Sequence, residues 1–187
     1  MNELACFLGV TEELAFHDVY SLYDDDAMAM VPRPVFALLV TIPMMEAWKQ
    51  HRDAEDGAVE WYKGVGRDES VTWFQQTVIH GCRLIGFLHC VANGLPSEMV
   101  VPGSELANLL EKAIPPGIGE RAALLNDTNS MHKASETVAQ RGDTKDLYAG
   151  EESIHLFVVL IKGSLEDDED AFSELALELG TRRLIDI

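Results

Sequence analysis

The stretch "QQTVIHGCRLIGFLHCVANG", residues 75–94, constrains the fold most, because it contains a long apolar helical pattern. One cysteine, Cys82, lies directly at the start of that pattern. From Cys82 onward apolar residues cover nearly every side of the predicted helix, and Asn93-Gly94 is a typical C-terminal stop. The pattern predicts a central, buried helix. Cys82 lies in its first turn, where backbone N–H groups and the helix dipole favour an anionic sulfur. The cysteine is either a nucleophile or, as isolated cysteines more often are, a small buried hydrophobe.

A nucleophilic thiolate needs a base and a donor for the oxyanion that forms when it attacks a carbonyl. Gln76 lies six residues upstream of the cysteine, and its amide is a candidate donor. His155 is a candidate base because it lies inside an apolar strand pattern, although a satisfied core histidine is the commoner case. A zinc site at Cys82, His89 and Cys90 is a weaker alternative, because adjacent residues diverge around a helix. We therefore expect no metal and no cofactor.

The bulk composition argues against several classes of partner. The chain has 187 residues, with 14 Lys and Arg against 32 Asp and Glu, for a net charge of −18. This balance disfavours nucleic acid and anionic membranes; it indicates either a basic partner or a charge that serves only to keep the protein soluble. The three cysteines lack disulfide-framework spacing, and the longest apolar run, residues 35–42, falls short of the roughly 20 that a membrane span needs. We expect a monomer in the cytoplasm, and also in the nucleus.

The remaining patterns predict one domain, residues 1–187, of mixed α/β (α+β) class. Apolar runs predict strands at 35–42, 69–76 and 153–163. Periodic patterns predict a helix at 103–113 capped by Ser104, helical structure over 119–140, and a terminal helix at 166–180. The polar stretch 142–152 predicts an exposed loop.

Four ordered blocks of the sequence resemble the ubiquitin C-terminal hydrolase family, papain-like cysteine deubiquitinases with a knotted core. The block at 75–94 resembles the pattern Q-T-I-x-N-A-C-G-x-I-G-L-L-H-x-x-x-N, and "SIHLFVVLIKG" resembles D-L-H-F-V-A-F-V. The other two blocks are "LGVTEELAFHDVYSLYDDDAMAMVPRPVFALLVTIP" and the helical region beginning "PGSELANLLEKA". Together these blocks cover most of residues 8–163 in the family's order.

The resemblance implies a fold, an activity and a set of site residues. It implies a mainly antiparallel central sheet flanked by helices, and hydrolysis at the C-terminal glycine of ubiquitin. Gln76, Cys82 and His155 fall on the family's oxyanion glutamine, nucleophile and base. Residues 142–152 would form the crossover loop over the active site. Ubiquitin's arginine-bearing tail would suit an acidic protein, with the aspartates at 24–26 as candidate contacts.

Two departures from the family pattern bear on turnover. Arg83 replaces the glycine that usually follows the nucleophile, bringing positive charge and also bulk beside the scissile bond. After Gly163 the chain runs directly into the terminal helix pattern, so the returning strand with the family's catalytic aspartate is not found. Asp167, Asp168 and Asp170 fit the first turn of that helix better than an orienting role. The alternative function is therefore a catalytically impaired, ubiquitin-binding pseudo-enzyme or a truncated family product.

Overall fold

The computed structural model describes residues 1–43, 46–58, 60, 63–66, 68–69, 71–77, 81–142 and 155–161. Helices and strands mix within these residues, as predicted. In chain order the elements are α1 (Asn2–Leu8), α2 (Asp25–Ala29), β1 (Ala37–Pro43), α3 (Glu46–Ala58), α4 (Cys82–Gly94), a 3-10 turn (Ser97–Met99), α5 (Glu105–Ala113), α6 (Ile118–Asp127), α7 (Asn129–Gln140) and β2 (His155–Ile161).

The two described strands form an antiparallel pair. Their register runs from Ala37 opposite Ile161 to Pro43 opposite His155. Because side chains alternate along a strand, the odd-numbered positions of both strands share one face and the even-numbered positions share the other. The strand predictions at 35–42 and 153–163 are confirmed over β1 and β2, the described parts of those runs.

Helix α4 packs on the odd-numbered face, and two glycines allow its close approach. A Cβ at Gly86 would lie 3.1 Å from Leu39 Cδ1 and 3.4 Å from Phe157 Cβ. A Cβ at Gly94 would lie 2.6 Å from the carbonyl oxygen of Phe36. The helix therefore runs along the strands, with its C-terminal end beside the start of β1.

The main core forms around α4, as the apolar pattern predicts. Phe87 and Leu88 are fully buried, and side chains from α1, α5, α6 and α7 pack around them. The other buried members of this cluster are Leu4, Ala5, Leu8, Val10, Phe74, Leu84, Val91, Leu106, Leu109, Ala113, Leu125 and Met131. On the even-numbered face, Val31 and Leu38 form a smaller cluster.

The local helix predictions are confirmed with one refinement. Helix α4 begins at Cys82 and ends at Gly94, and α5 begins after Ser104, whose Oγ accepts from Ala107 N–H at 3.1 Å. The helical stretch 119–140 is two helices that meet at Thr128, whose φ and ψ of −90° and 70° leave the helical region. None of the helices in the described ranges has the length and apolar character of a membrane span.

The strand predicted at 69–76 is wrong. Residues 71–77 pair with no neighbouring strand among the described residues, and side chains of α4 bond the backbone groups that such a strand would otherwise engage. The predicted loop beyond Gly142, the terminal helix, the missing strand and the knot all fall outside the described residues.

The fit of α4 against the chain at Phe36 predicts the effect of Gly94→Ala. Alanine gains about 1 kcal/mol of helix propensity, but the clash with a backbone oxygen costs about 1–3 kcal/mol. We expect the free energy of unfolding to fall by about 1 kcal/mol in urea denaturation. The matched control is Gly119→Ala in α6, where a Cβ meets nothing within 4 Å and stability should rise. Equal changes in both variants would contradict this packing.

Candidate active site

Cys82 is the first residue of α4, and its side chain is half-buried. Gly81 occupies the N-cap position and has no side chain with which to cap the N–H groups of the first turn. Arg83 follows as an exposed residue. The predicted position of the cysteine at a helix N-terminus is therefore confirmed, and its role as nucleophile stays a prediction.

The docking of α4 brings Cys82 toward the end of the sheet where β2 begins. Gly86, one turn after Cys82, contacts the sheet at Phe157. Cys82 lies four helical residues before this contact, a rise of about 6 Å, and His155 lies two strand residues before it, a rise of about 6.6 Å. Since position 155 shares a strand face with position 157, the backbones of Cys82 and His155 reach the same end of this interface.

Gln76 belongs to an extended segment, residues 71–77, which runs antiparallel to α4. Asn93 bonds both backbone groups of Thr72: its Oδ1 accepts from Thr72 N–H at 2.6 Å, and its Nδ2 donates to Thr72 O at 3.0 Å. One turn earlier on the helix, Nε2 of His89 lies 2.9 Å from Phe74 N and 3.2 Å from Phe74 O. Two side chains of α4 thus take the place of a neighbouring strand.

The end of this segment lies at the first turn of α4. A small cavity of about 10 Å³ is lined by Gln76 together with Gly81 and Ile85, and by Gln75, Thr77, Leu84, Leu125, Asn126 and His132. The Oγ1 of Thr77 donates to Asn126 Oδ1 at 2.9 Å, which ties the segment to α6. The structure therefore brings the backbone turn of Cys82 and the residue Gln76 to one place.

A buried ion pair holds the opposite side of the segment. Arg121 of α6 is fully buried and pairs with Glu69, whose side chain is 3% exposed. The guanidinium also donates to Trp73 O at 3.0 Å, and to Ala113 O and Pro116 O. Removing one partner of such a pair leaves an uncompensated buried charge, which generally costs about 3–5 kcal/mol. The pair thereby fixes the start of the 71–77 segment against α6.

Nε2 of His89 faces both backbone groups of Phe74. Burial lowers the pKa of His89 below its ordinary value of 6.5, and the hydrogen bond with Phe74 opposes part of that shift. Nε2 accepts from Phe74 N–H when the ring proton lies on Nδ1, and it donates to Phe74 O when it carries a proton itself; the second bond is the one that raises the pKa. The Trp73 ring stacks on the imidazole at 6.3 Å between centroids. His89 is therefore a structural residue of the segment.

Sequence reasoning missed this use of His89 and Asn93. A signal was present: the two are polar, lie four residues apart and share one stripe of an otherwise apolar helix. Arg121 gave no comparable signal, because arginine is rarely buried.

Cys90, Cys6 and Asp24 lie outside the candidate site. Burial raises the pKa of the Cys90 thiol to about 12, whereas Cys6 is exposed. Within the described ranges no three His, Cys, Asp or Glu residues are arranged to hold a metal ion. The side chain of Asp24 caps α2 by accepting from Asp26 N–H and Ala27 N–H.

Comparison with known proteins gives consistent matches. A family model described as "Ubiquitin carboxyl-terminal hydrolase, family 1" matches residues 1–166. "Ubiquitin carboxyl-terminal hydrolase isozyme L1" of Macaca fascicularis is 29% identical over 145 residues, covering 78% of this chain and 63% of that protein. The Homo sapiens protein of that name is 28% identical over the same coverage. "Ubiquitin carboxyl-terminal hydrolase YUH1" of Saccharomyces cerevisiae is 32% identical over 104 residues, covering 56% of this chain and 39% of its own length. The match to each relative spans less than two thirds of that relative.

The lowered pKa of His89 predicts a pH dependence of stability. A histidine with a depressed pKa in the folded state contributes stability that is complete above its unfolded value of 6.5 and is lost as pH falls through the folded value. We expect the urea midpoint to fall more steeply from pH 7 to pH 5 in the wild type than in His89→Gln, which does not titrate. The matched control is His17→Gln at an exposed histidine, which should keep the wild-type slope. Parallel slopes for the wild type and His89→Gln would contradict the assignment.

Proposed function

The chain belongs to the ubiquitin carboxyl-terminal hydrolase family, and from that premise we propose that it is a cysteine-type deubiquitinase. Its substrates are adducts joined to the C-terminal glycine of ubiquitin. The observation that carries the proposal is the docking of α4, which brings Cys82 toward the β2 end that begins at His155, with Gln76 at the same helical turn.

The proposed reaction proceeds through an acyl-enzyme. His155 accepts the thiol proton while the sulfur of Cys82 attacks the glycine carbonyl carbon. The amide of Gln76 donates to the resulting oxyanion. His155 then returns the proton to the leaving group as its bond to the carbonyl carbon breaks. Water, deprotonated by His155, attacks the thioester and releases the ubiquitin carboxylate and the free thiol.

The charge of the chain supports ubiquitin as the partner. At a net charge of −18 the protein attracts basic segments, and the resemblance implies an arginine-bearing tail as the ligand. Asp24 uses its carboxylate as a helix cap, so Asp25 and Asp26 are the stronger candidates for tail contacts in that cluster.

A second function, ubiquitin binding with impaired turnover, is favoured by one observation. The sequence passes from Gly163 into the acidic terminal pattern without the family's aspartate-bearing strand. In serine proteases, loss of the residue that orients the histidine lowers turnover by about 10⁴. A cysteine nucleophile depends less on an oriented base than a serine does, because sulfur is intrinsically the stronger nucleophile. Hydrolysis at a reduced rate is therefore the primary proposal.

A fluorogenic amide of the ubiquitin C-terminus tests the proposal. We expect measurable turnover by the wild type and none by Cys82→Ala, whereas Cys6→Ala retains the wild-type rate. Gln76→Ala should lower kcat by about 10²–10³, as expected for an oxyanion donor. His155→Gln should also lower kcat, with His17→Gln as its matched control.

The outcomes separate the two functions. Saturable binding of ubiquitin without turnover, by folded protein, would contradict the hydrolase and support the binding function. Turnover that survives Cys82→Ala would contradict the proposed nucleophile. If the folded protein neither bound ubiquitin nor turned over the substrate, both functions would be contradicted.

A further inference from the structure

Residues 71–77 are held in place by side chains on both of their edges. In an extended segment the backbone groups of residues two apart point to the same side. Thr72 and Phe74 accordingly direct both their N–H and C=O groups toward α4. Asn93 bonds both groups of Thr72, and Nε2 of His89 lies within hydrogen-bond distance of both groups of Phe74 and bonds one of them at a time. The carbonyl of Trp73 points the other way and accepts from Arg121.

The spacing of these contacts extends to Gln76. Each step of two residues along the segment, about 6.6 Å, matches a step of four residues along α4, about 6 Å. Thr72 meets Asn93 and Phe74 meets His89, so the same register carries Gln76 to Ile85. The small cavity shared by Gln76, Ile85 and Gly81 agrees with this register.

We propose that Asn93 and His89 are positioning residues for Gln76: they make α4 the common support of the nucleophile and of the oxyanion donor. The proposal rests on the proposed function, since it concerns the glutamine assigned to the oxyanion. Asn93 acts three turns from Cys82, far from the reacting atoms, and its Nδ2 also donates to His89 O at 2.9 Å. That bond fixes the orientation of the Asn93 amide on α4. Because the segment that carries Gln76 is then bonded to the helix that carries Cys82, a shift of α4 moves both residues together and preserves their spacing.

A double-mutant cycle between Asn93 and Gln76 tests the proposal. Asn93→Ala should lower kcat by about tenfold or more, within the 10²–10³ that an oxyanion donor supplies, and leave KM nearly unchanged. In the Gln76→Ala background the same substitution should have no further effect on kcat, because its effect passes through Gln76. Asn93→Asp, which keeps the acceptor for Thr72 N–H and loses both donors, should give an intermediate loss. Asn108→Ala on α5, an exposed asparagine, is the matched control and should retain the wild-type kcat.

Residue-resolved hydrogen exchange supplies a readout that does not depend on turnover. Asn93→Ala should speed exchange of the Thr72 and Phe74 amides, whereas amides in α5 keep the wild-type rate. Losses of kcat that multiply in the double variant, or unchanged exchange at these amides, would overturn the proposal. If the wild type lacks turnover, the proposed function fails. Exchange then decides alone: faster exchange in Asn93→Ala upholds the positioning of the segment, and unchanged exchange overturns it.

Discussion

The close approach of α4 to the β1–β2 pair is the constraint on which the rest of the structure depends. At Gly86 and Gly94 the helix presents no side chain, and it lies so close to the strands that an added Cβ would come within 3.4 Å of Leu39, Phe157 or Phe36. This contact sets where the helix begins relative to the sheet. Because Cys82 is the first helical residue and His155 the first residue of β2, the same contact determines their relative placement.

Helix α4 is largely apolar, yet its side chains also have to form hydrogen bonds with the backbone N–H and C=O groups of the extended segment 71–77. Strand pairing would have required another strand, which would separate Gln76 from the helix that carries Cys82. His89 and Asn93 supply the hydrogen bonds instead, and the buried Arg121–Glu69 pair holds the opposite edge. Arg121 bonds Glu69 and three backbone carbonyls, which offsets the cost of burying its charge, whereas Oε1 of Glu69 is buried without a hydrogen-bond partner among the described residues.

Local patterns predicted the elements that local physics controls. The apolar periodicity from Leu84 to Val91, the stop at Gly94 and the Ser104 cap depend on residues close in sequence, and each was confirmed. The strand predicted at 69–76 was wrong because the hydrogen-bond partners of this segment are side chains 15 to 48 residues away, and β-propensity carries no information about such distant residues. The burial of Arg121 was missed because it depends on Glu69, 52 residues earlier. The roles of Cys82, Gln76 and His155 came from a family resemblance, and they stay predictions.

The central claim of the proposed function is that Cys82 is the reactive residue of a ubiquitin-binding site. The most direct test is the intact mass of the folded protein after mixing with ubiquitin that carries a C-terminal electrophile, followed by peptide mapping. The account predicts one ubiquitin adduct, located on Cys82 and lost in Cys82→Ala. No adduct, or an adduct on the exposed Cys6, would contradict it.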